Sequence, residues 1–376
     1  MSRISCGSSL TFMLQPEVRP AADFLALLDT EAAPYLLDVR EPDEFAEWAI
    51  PGAHNIPLGQ LEERLGELPS HRPILVICAK GARAMTGATL LVERGFAATV
   101  MDGGMGSWAV TYDQVELAVA DALVIQVRRR GKGCLSYVVG AGSRAVVIDP
   151  STDIEMYRTI ADEHGWTISY IVDTHLHADH VSGGRALRDA TGADLLLNPS
   201  DPFRYAFTPL TDGLAIELDE GVHLGVEAVS APGHTEGSTI YRLGDEVVFT
   251  GDTLFLESVG RPDLADQAEP FARALFHTLH EKVLPLSDST LILPAHWGAA
   301  VDVRFGEIVG RPLGELRHVL PALALSEDEF VAWAIAHVKD RPPNYQEIVR
   351  FNAGESSLSL DEIHDMELGP NRCAIA

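Results

Sequence analysis

The sequence predicts an α/β protein of two domains, of which the first contains a parallel sheet and the second a β-rich sandwich flanked by helices. Between about residues 34 and 110, short apolar runs alternate with helix-like segments, a pattern typical of a parallel sheet. After about residue 112, several apolar runs follow one another quickly before a helical segment begins near Asp153. A chain of 376 residues also suits two domains better than one hydrophobic core.

In each domain, the apolar runs are predicted as strands and the segments between them as helices. In the first domain, the predicted strands are residues 35–39, 74–78 and 97–101, and the predicted helices are residues 42–48, 58–68 and 82–94. In the second, the predicted strands are residues 122–128, 135–139, 145–149 and 168–172, with helices at 153–163 and 327–337. Residues 111–120 contain no glycine, proline or serine run, and they are predicted as a short linker.

The composition excludes several classes of protein. The chain carries 55 acidic and 28 basic residues, spread along its length, and a formal net charge of -27, which disfavours nucleic acid and anionic membranes as partners. No stretch approaches the roughly 20 consecutive apolar residues of a membrane-spanning helix, and the first residues do not form a secretory signal pattern. Four cysteines without a CxxC pair fit a reducing compartment, so a cytoplasmic location is expected. The oligomeric state stays open, and a homo-oligomer is one option.

Cys78 is the candidate nucleophile of the first domain. The buried run 74–77 leads directly into Cys78, and a helix is predicted to begin a few residues later. Backbone N–H groups and the positive end of that helix would then face the sulfur and favour the thiolate. Lys80 and Arg83 add positive charge, and Gly81 allows the loop to turn back on itself. The alternative is a buried structural cysteine, but the CxxGxR context favours a catalytic Cys78 assisted by Arg83 and Lys80.

Seven metal-ligand side chains define the second domain. Four lie between Thr174 and Val181, and three follow downstream; together they are His175, His177, Asp179, His180, His234, Asp252 and His296. This number at these spacings is far beyond a chance scatter of 14 histidines. Each group follows an apolar strand, so rigid strands would position the ligands around one pocket. An individual member such as His177 or Asp179 could instead orient a neighbour by hydrogen bonding.

The first domain resembles the rhodanese sulfurtransferase family. The matching segments occur in family order and are residues 38–41, 44–45, 50–57, 78–83, 102–104 and Trp108. The resemblance implies that Cys78 carries a persulfide and passes its outer sulfur to an acceptor, with thiosulfate or sulfite as the donor or product. Asp38 and Arg40 are expected to support the fold rather than to contact substrate.

Residues 121–310 look like the metallo-β-lactamase fold superfamily, because the HxHxDH motif and the later His, Asp and His match it. Two chemistries share this pattern. A dizinc hydrolase similar to glyoxalase II would bind one zinc through His175, His177 and His234. It would bind the other through Asp179, His180 and His296, with Asp252 bridging the two. A dioxygenase would bind one Fe(II) through His175, His234 and Asp252, leaving positions for a sulfur substrate and O2. The ligands alone leave both readings open.

Two further features favour the dioxygenase. Residues 257–264 look like the corresponding segment of persulfide dioxygenases, which oxidise glutathione persulfide to sulfite, and Arg261 in this segment is a candidate anion-binding residue. Residues 342–345 and 369–373 also resemble the tail of this group. The fusion itself is the second feature, because a persulfide-handling thiol tethered to a persulfide-consuming enzyme raises the local concentration of the shared compound. A thioesterase gains no obvious advantage from fusion to a persulfide-handling domain.

The resemblances together imply an N-terminal rhodanese-like parallel-sheet α/β domain at 15–112, followed by an αββα metallo-β-lactamase-fold domain at 121–310. A C-terminal extension at 311–376 is expected to pack on the second domain. The predicted function is Fe(II)-dependent oxidation of glutathione persulfide, or of another small thiol persulfide, by O2, with one iron per chain. Rhodanese-type sulfur transfer through Cys78 accompanies it. The alternative is a hydrolase with two Zn(II) ions and a regulatory or docking rhodanese domain.

Overall fold

The computed structural model describes residues 15–28, 30, 32–218, 225–263, 267–298, 301, 303–338, 341 and 344–369. The chain divides into two compact units, unit 1 (Met1–Thr111) and unit 2 (Tyr112–Ala376). The finer bounds predicted above for the two domains and the extension stay predictions. Of the two segments proposed to resemble a family tail, residues 342–343 and 370–373 lie outside the described residues, as does position 264 of the Arg261 segment.

Unit 1 contains one parallel sheet with helices around it. Its strands are β1 (Glu17–Arg19), β2 (Tyr35–Asp38), β3 (His54–Asn55), β4 (Ile74–Ile77) and β5 (Ala98–Met101). Its helices are α1 (Ala22–Leu28), α2 (Pro42–Glu47), α3 (Ala82–Glu93) and α4 (Gly104–Ala109). The strand order is β1-β5-β4-β2-β3, and every pair is parallel, as the alternating pattern predicted. All four residues of the central strand β4 are buried, as expected for a parallel strand covered on both faces.

The predicted helix at 58–68 is wrong. Two separate 3₁₀ turns, Leu58–Gln60 and Leu65–Glu67, occupy this stretch. Gly59 and Gly66 lie in the two turns, and glycine disfavours a continuous helix because its backbone loses more conformational freedom than that of other residues.

Unit 2 contains two sheets. The first, a seven-stranded sheet, consists of β6 (Tyr112–Val119), β7 (Ala122–Arg129), β8 (Cys134–Ala141), β9 (Arg144–Ile148), β10 (Thr167–Val172), β11 (Asp194–Leu197) and β12 (Thr208–Pro209). The second, a six-stranded sheet, consists of β13 (Ala215–Glu217), β14 (Gly225–Ser230), β15 (Thr239–Leu243), β16 (Val247–Gly251), β17 (Leu291–Pro294) and β18 (Arg311–Pro312). In both sheets, the neighbouring strands follow chain order, β12 to β6 and β13 to β18.

The helices of unit 2 are α5 (Ile154–His164), α6 (Gly184–Thr191), α7 (Ala268–Thr278), α8 (Leu313–Val319), α9 (Glu327–Ala336), α10 (Tyr345–Ala353) and α11 (Leu360–Met366). A π-helical turn, Leu279–Val283, continues α7, and a 3₁₀ turn, Pro321–Ala324, follows α8. No helix among the described residues is long and apolar enough to cross a membrane.

The predicted linker at 111–120 is largely wrong, because residues Tyr112–Val119 form β6, the edge strand of the seven-stranded sheet. This strand pairs with β7 along its whole length. Asp113, Val115 and Val119 are buried and alternate with exposed residues, which is the period-two pattern of a strand with one covered face. Charged residues at positions 113 and 116 interrupt the apolar pattern and concealed it in the sequence.

The main core of unit 2 lies between the two sheets. Val139, Ile148 and Val172 contribute from the first sheet, and Ile240, Val248 and Ile292 contribute from the second. A separate core cluster joins the first sheet to α5 and α6 through Tyr157, Ile160 and Leu187. Helices α7 and α9 add Leu275 and Phe330 to the main core. The predicted αββα layering is therefore confirmed.

Candidate metal centre and sulfur-handling loop

The seven ligand-type side chains of unit 2 meet where strands of both sheets end. Asp252 follows β16 and His296 follows β17, and these two strands are parallel, so their carboxyl ends share an edge. His175 follows β10 by three residues, and His234 lies in the loop after β14. An antiparallel bridge between Cys134 and His296 joins the two sheets at this edge. All seven side chains are buried.

His175, His234 and Asp252 direct three atoms toward a common position. Nε2 of His175 lies 3.7 Å from Oδ2 of Asp252, and Nε2 of His234 lies 3.5 Å from the same oxygen. None of these three atoms has a hydrogen-bond partner among the described residues. Buried polar atoms are rarely left without partners, so such a group indicates a place for a ligand that supplies the missing interactions.

The other polar atom of each of these side chains is held in place. Nδ1 of His234 donates to the carbonyl oxygen of Arg261 at 2.9 Å. Nδ1 of His175 lies 2.9 Å from Oγ1 of Thr174, which donates its own proton to Asp149. Both imidazoles therefore carry their proton on Nδ1 and turn the lone pair of Nε2 toward the common position. This is the arrangement of metal-binding histidines, whose second nitrogen is fixed by a neighbouring acceptor.

The charges of these three residues suit a cation. Burial lowers the pKa of both His175 and His234, which keeps the two imidazoles neutral and able to bind a metal. Burial alone would raise the pKa of Asp252, but the neighbouring His296 and His175 outweigh it and hold that pKa below its usual range. The group thus offers two neutral nitrogens and one carboxylate oxygen, a donor set that fits a non-haem Fe(II) ion.

His177 belongs to a different group of contacts. Its Nε2 lies 3.1 Å from Oδ1 of Asp149 and 4.0 Å from Oδ1 of Asp173. Burial opposes a charge on His177, but these carboxylates outweigh burial and raise its pKa to about 9. Nδ1 of His177 has no hydrogen-bond partner among the described residues, so the side chain keeps one nitrogen available for a ligand. His177 was predicted either to bind a metal or to orient a neighbouring ligand, and both possibilities stay predictions.

Asp149 organises the start of the histidine loop, and the sequence interpretation missed it. Its carboxylate accepts hydrogen bonds from N of Thr174 at 2.6 Å and from Oγ1 of Thr174 at 2.9 Å, in addition to the contact with His177. Its backbone has a φ of 52°, a left-handed conformation that is uncommon outside glycine. Asp149 directly follows β9, as Asp173 directly follows β10. An acidic residue at the end of a buried strand was therefore the signal in the sequence that could have identified Asp149.

A second group of possible ligands contains Asp179, His180, His296 and, unexpectedly, Cys134. Nδ1 of His180 lies 3.2 Å from Oδ1 of Asp179, and Nε2 of His296 lies 2.8 Å from Oδ2 of Asp179. Nδ1 of His296 lies 2.6 Å from Oδ1 of Asp252. Burial disfavours a charge on His296, but the two aspartates outweigh burial and raise its pKa well above the usual value. Oδ2 of Asp179 and Nε2 of His296 have no hydrogen-bond partner among the described residues, so this group also offers atoms to a metal.

Arg261 is buried beside the metal-ligand group and already has an anionic partner. Its guanidinium donates to the carboxylate of Asp263 at 2.8 and 3.0 Å, and its backbone carbonyl accepts from His234. Arg341, from the C-terminal extension, also donates to Asp263 at 3.1 Å. Arg261 is thus paired with Asp263, and the expectation that it binds an anionic substrate stays a prediction.

In unit 1, Cys78 lies at the end of β4, and Gly81 immediately precedes α3. The backbone N of Gly81 donates to Sγ of Cys78 at 3.1 Å, and Gly81 has a φ of 99°, which favours glycine. The first residues of α4 fix the same loop, because N of Met105 donates to the carbonyl oxygen of Cys78 at 2.8 Å. The predicted strand-loop-helix around Cys78 is therefore present, and Cys78 is buried.

The positive charge that Arg83 is predicted to add beside the sulfur is paired with a carboxylate, and its assistance to Cys78 stays a prediction. The guanidinium of Arg83 donates to both carboxylate oxygens of Glu44 at 2.7 Å. These hydrogen bonds lower the pKa of Glu44 to about 2, so the pair stays ionised at neutral pH. Lys80 is exposed on the loop. Asp38 and Arg40 form a buried ion pair at 2.7 Å inside the unit, which agrees with the supporting role predicted for them.

Comparison with known families agrees with this geometry. Residues 20–111 match the rhodanese-like domain, and residues 129–296 match the metallo-beta-lactamase superfamily. The chain is thus an enzyme of the metallo-β-lactamase fold that also carries a rhodanese-like domain, and it belongs to that superfamily. Its relatives include persulfide dioxygenase ETHE1 from Bos taurus, which is 32% identical over 205 residues, covering 53% of this chain and 76% of the relative.

Two other relatives bear on the chemistry. A crystal structure of ETHE1 from Myxococcus xanthus is similar to 66% of this chain and to 100% of that chain, with 25% sequence identity and a TM-score of 0.53. A hydroxyacylglutathione hydrolase from Pseudomonas entomophila is 29% identical over 172 residues, covering 45% of this chain and 63% of the relative. The relatives of this chain therefore include one named as a dioxygenase and one named as a hydrolase.

Proposed function

We propose that unit 2 is an Fe(II)-dependent persulfide dioxygenase and that unit 1 transfers sulfane sulfur through a persulfide on Cys78. The observation that carries the proposal is the set of three buried ligand atoms, Nε2 of His175, Nε2 of His234 and Oδ2 of Asp252, that face one position without a partner among the described residues. Two histidines and one carboxylate are typical of non-haem Fe(II) enzymes that use O2. The relative from Bos taurus, named as a persulfide dioxygenase, supports the same reading.

In this proposal, His175, His234 and Asp252 hold one iron per chain. When bound, the iron would supply open coordination positions for a sulfur compound and O2 and would pass electrons from the sulfur to O2. The protein holds the imidazoles through Thr174 and the carbonyl of Arg261, and the whole group is buried. Ligands fixed in this way favour reaction between two molecules bound side by side.

The reaction proposed for unit 2 is glutathione persulfide plus O2 and water to glutathione and sulfite. The sulfane sulfur is oxidised by four electrons, which reduce O2, and the bond between the two sulfur atoms breaks with water supplying the third oxygen of sulfite. Another small thiol persulfide would satisfy the same balance. Nothing in this balance requires a further oxidant.

For unit 1, we propose that the Cys78 thiolate attacks the outer sulfur of thiosulfate, releasing sulfite and forming a persulfide, or runs this step in reverse. N of Gly81 donates a hydrogen bond to Sγ of Cys78 and holds the sulfur in the loop before α3. Sulfite and persulfide are then shared by both reactions. A covalent link between two such units raises the effective concentration of one at the other to about the millimolar range when the geometry permits.

A second candidate function is hydrolysis of a glutathione thioester by two Zn(II) ions. The group formed by Cys134, Asp179, His180 and His296 favours it, because four ligand-type atoms lie within 4.8 Å of one another beside the first group. The hydrolase relative from Pseudomonas entomophila also favours it. The persulfide dioxygenase relative from Bos taurus favours the first candidate, although Nε2 of His296 and Oδ2 of Asp179 also lack a hydrogen-bond partner among the described residues.

A paired assay separates the two candidates. The purified chain is reconstituted under anaerobic conditions with Fe(II) or with Zn(II), then offered glutathione persulfide in air or a lactoyl-glutathione thioester. We expect O2 uptake and sulfite formation with the iron form and no significant thioester hydrolysis with either. Thioester hydrolysis by the zinc form, without O2 uptake by the iron form, would overturn the dioxygenase proposal.

A further inference from the structure

Two side chains from the far end of the chain hold the histidine loop, residues 177–182. Nδ2 of Asn352, on α10, donates to the carbonyl oxygens of His177 at 3.0 Å and His180 at 2.9 Å. Oδ1 of the same side chain accepts from N of Ser182 at 3.0 Å. Asn352 is 4% exposed, so a single buried amide uses both of its donor hydrogens and its acceptor on this loop.

Glu367 holds Val181, which lies between two residues that Asn352 contacts, His180 and Ser182. Its Oε1 accepts from N of Val181 at 2.9 Å. The same carboxylate lies 3.0 Å from the guanidinium of Arg129, and Lys132 donates to the backbone carbonyl of Glu367 at 3.0 Å. Glu367 is 2% exposed, and burial that would raise its pKa is outweighed by Arg129 and Lys132, which keep that pKa below its usual value. The carboxylate thus joins the loop at Val181 to Arg129.

Helix α10 is itself fixed to the body of unit 2. Arg185 donates to the carbonyl oxygen of Phe351 at 2.8 Å, and N of Arg204 donates to the carbonyl oxygen of Ala353 at 2.7 Å. Arg185 also lies over the rings of Tyr205 and Phe351, at 4.9 and 4.8 Å. Asn352 lies in the chain between Phe351 and Ala353, whose carbonyl oxygens accept these hydrogen bonds. Its backbone is therefore fixed where its side chain contacts the loop.

We infer that Asn352 and Glu367 are positioning residues for the metal-ligand group. They fix the backbone from His177 to Ser182, which directly follows His175 and contains Asp179 and His180. Hydrogen bonds at residues 177, 180, 181 and 182 order the loop before any metal binds, so that metal binding does not have to supply this ordering. The inference rests on the proposed metal centre, but not on whether the bound metal drives oxidation or hydrolysis.

The test compares Asn352→Ala with the control Arg350→Ala. Arg350 lies on the same helix, is exposed, and pairs with Glu347 of that helix. Fe(II) affinity is measured anaerobically by competition with a coloured chelator, and hydrogen exchange of the peptide that contains residues 177–182 is measured on the metal-free full chain. We expect Asn352→Ala to weaken Fe(II) binding about 10–100-fold and to speed exchange of this peptide. The control is expected to match the parent in both.

A second variant protects the test against simple misfolding. Glu367→Gln keeps the shape of the side chain and an acceptor for Val181 but removes the charge that pairs with Arg129. If near-ultraviolet circular dichroism shows that Asn352→Ala is unfolded, the Fe(II) affinity of Glu367→Gln tests the inference instead. We expect this variant also to bind Fe(II) more weakly than the parent. A folded variant with the parent's Fe(II) affinity overturns the inference. Because no persulfide or O2 is present, a failure of the proposed oxidation leaves this result unchanged.

Discussion

Nδ1 of His296 lies 2.6 Å from Oδ1 of Asp252, and this contact leaves the other carboxylate oxygen, Oδ2, facing Nε2 of both His175 and His234. His296 therefore determines which oxygen of Asp252 is available to a metal. Its opposite nitrogen lies 2.8 Å from Asp179, so one imidazole connects the two groups of possible ligands. The arrangement gives His296 a role whether one or two metals bind.

Replacing His296 by alanine is predicted to weaken metal binding about 10–100-fold, because Asp252 loses the partner that orients it. The measurement is Fe(II) content after anaerobic reconstitution, together with the affinity from chelator competition. His277→Ala is the control, since His277 is half-exposed on α7 and contacts Glu281 on the surface. Equal iron affinity in the His296 variant and the parent would contradict the positioning role.

Replacing Asp149 by alanine is predicted to destabilise unit 2 by about 3–5 kcal/mol, the usual cost of removing one partner of a buried ion pair. His177 would be left as a buried cation and N of Thr174 would lose its acceptor. Denaturant unfolding of the metal-free chain measures the loss of stability in unit 2. Asp189→Ala, at an exposed aspartate of α6, should cost little in comparison. A small effect at Asp149 would mean that its pair with His177 adds no net stability.

Replacing Cys78 by serine is predicted to abolish sulfur transfer from thiosulfate to cyanide, because the hydroxyl cannot carry a persulfide. Thiocyanate formation is the measurement, and the iron content of the same protein is expected to be unchanged. Residual transfer at the parent rate would assign the activity to another thiol.

Replacing Glu44 by glutamine is predicted to lower the KM for thiosulfate, because Arg83 would no longer be paired with a carboxylate and could attract the anion. Glu47→Gln, at an exposed position of the same helix, is the matched control. A KM that is unchanged or raised in the Glu44 variant would show that the pair supports the loop rather than competing with substrate.

The same pair makes a prediction about acid stability. The pKa of Glu44 is about 2 in the folded chain, below its value in an unfolded chain. A lowered folded pKa contributes stability that is fully present above the unfolded pKa and is lost as the pH falls toward 2. Between pH 5 and 2, the free energy of unfolding of unit 1 should therefore fall more steeply with decreasing pH in the parent than in Glu44→Gln. Identical pH profiles would exclude a stabilising pair.

The sequence predicted most elements that place ligands at strand ends, since the apolar runs before Cys78, His175, Asp252 and His296 are continuous. It predicted neither β6, in which charged residues interrupt the apolar pattern, nor the roles of Asp149 and Glu44. Those roles depend on contacts across 28 and 39 positions. The position of Asp149 directly after β9 is a local signal for its role, but no local pattern marks that of Glu44. Asn352 and Glu367 are further examples, since each contacts the histidine loop from about half the chain away.

The sequence analysis predicts one Fe(II) per chain with two Zn(II) as the alternative, and the ligand motif cannot separate the two for a related reason. The same seven side chains serve one iron or two zincs, and the difference depends on which atom each side chain directs inward. The tautomers of His175 and His234 are fixed by contacts with Thr174 and with the carbonyl of Arg261. Neither contact can be read from the ligand motif. The fold class, by contrast, follows from element order alone, and the αββα layering was predicted correctly.

The most direct test of the single-iron proposal counts metal and oxygen together. The full chain is reconstituted anaerobically with Fe(II), its metal content is determined, and glutathione persulfide is added in an oxygen electrode. The expected result is one iron per chain and one O2 consumed for each sulfite formed, with both lost in Asp252→Ala. Two tightly bound zincs per chain, with no O2 consumption by the iron form, would contradict it.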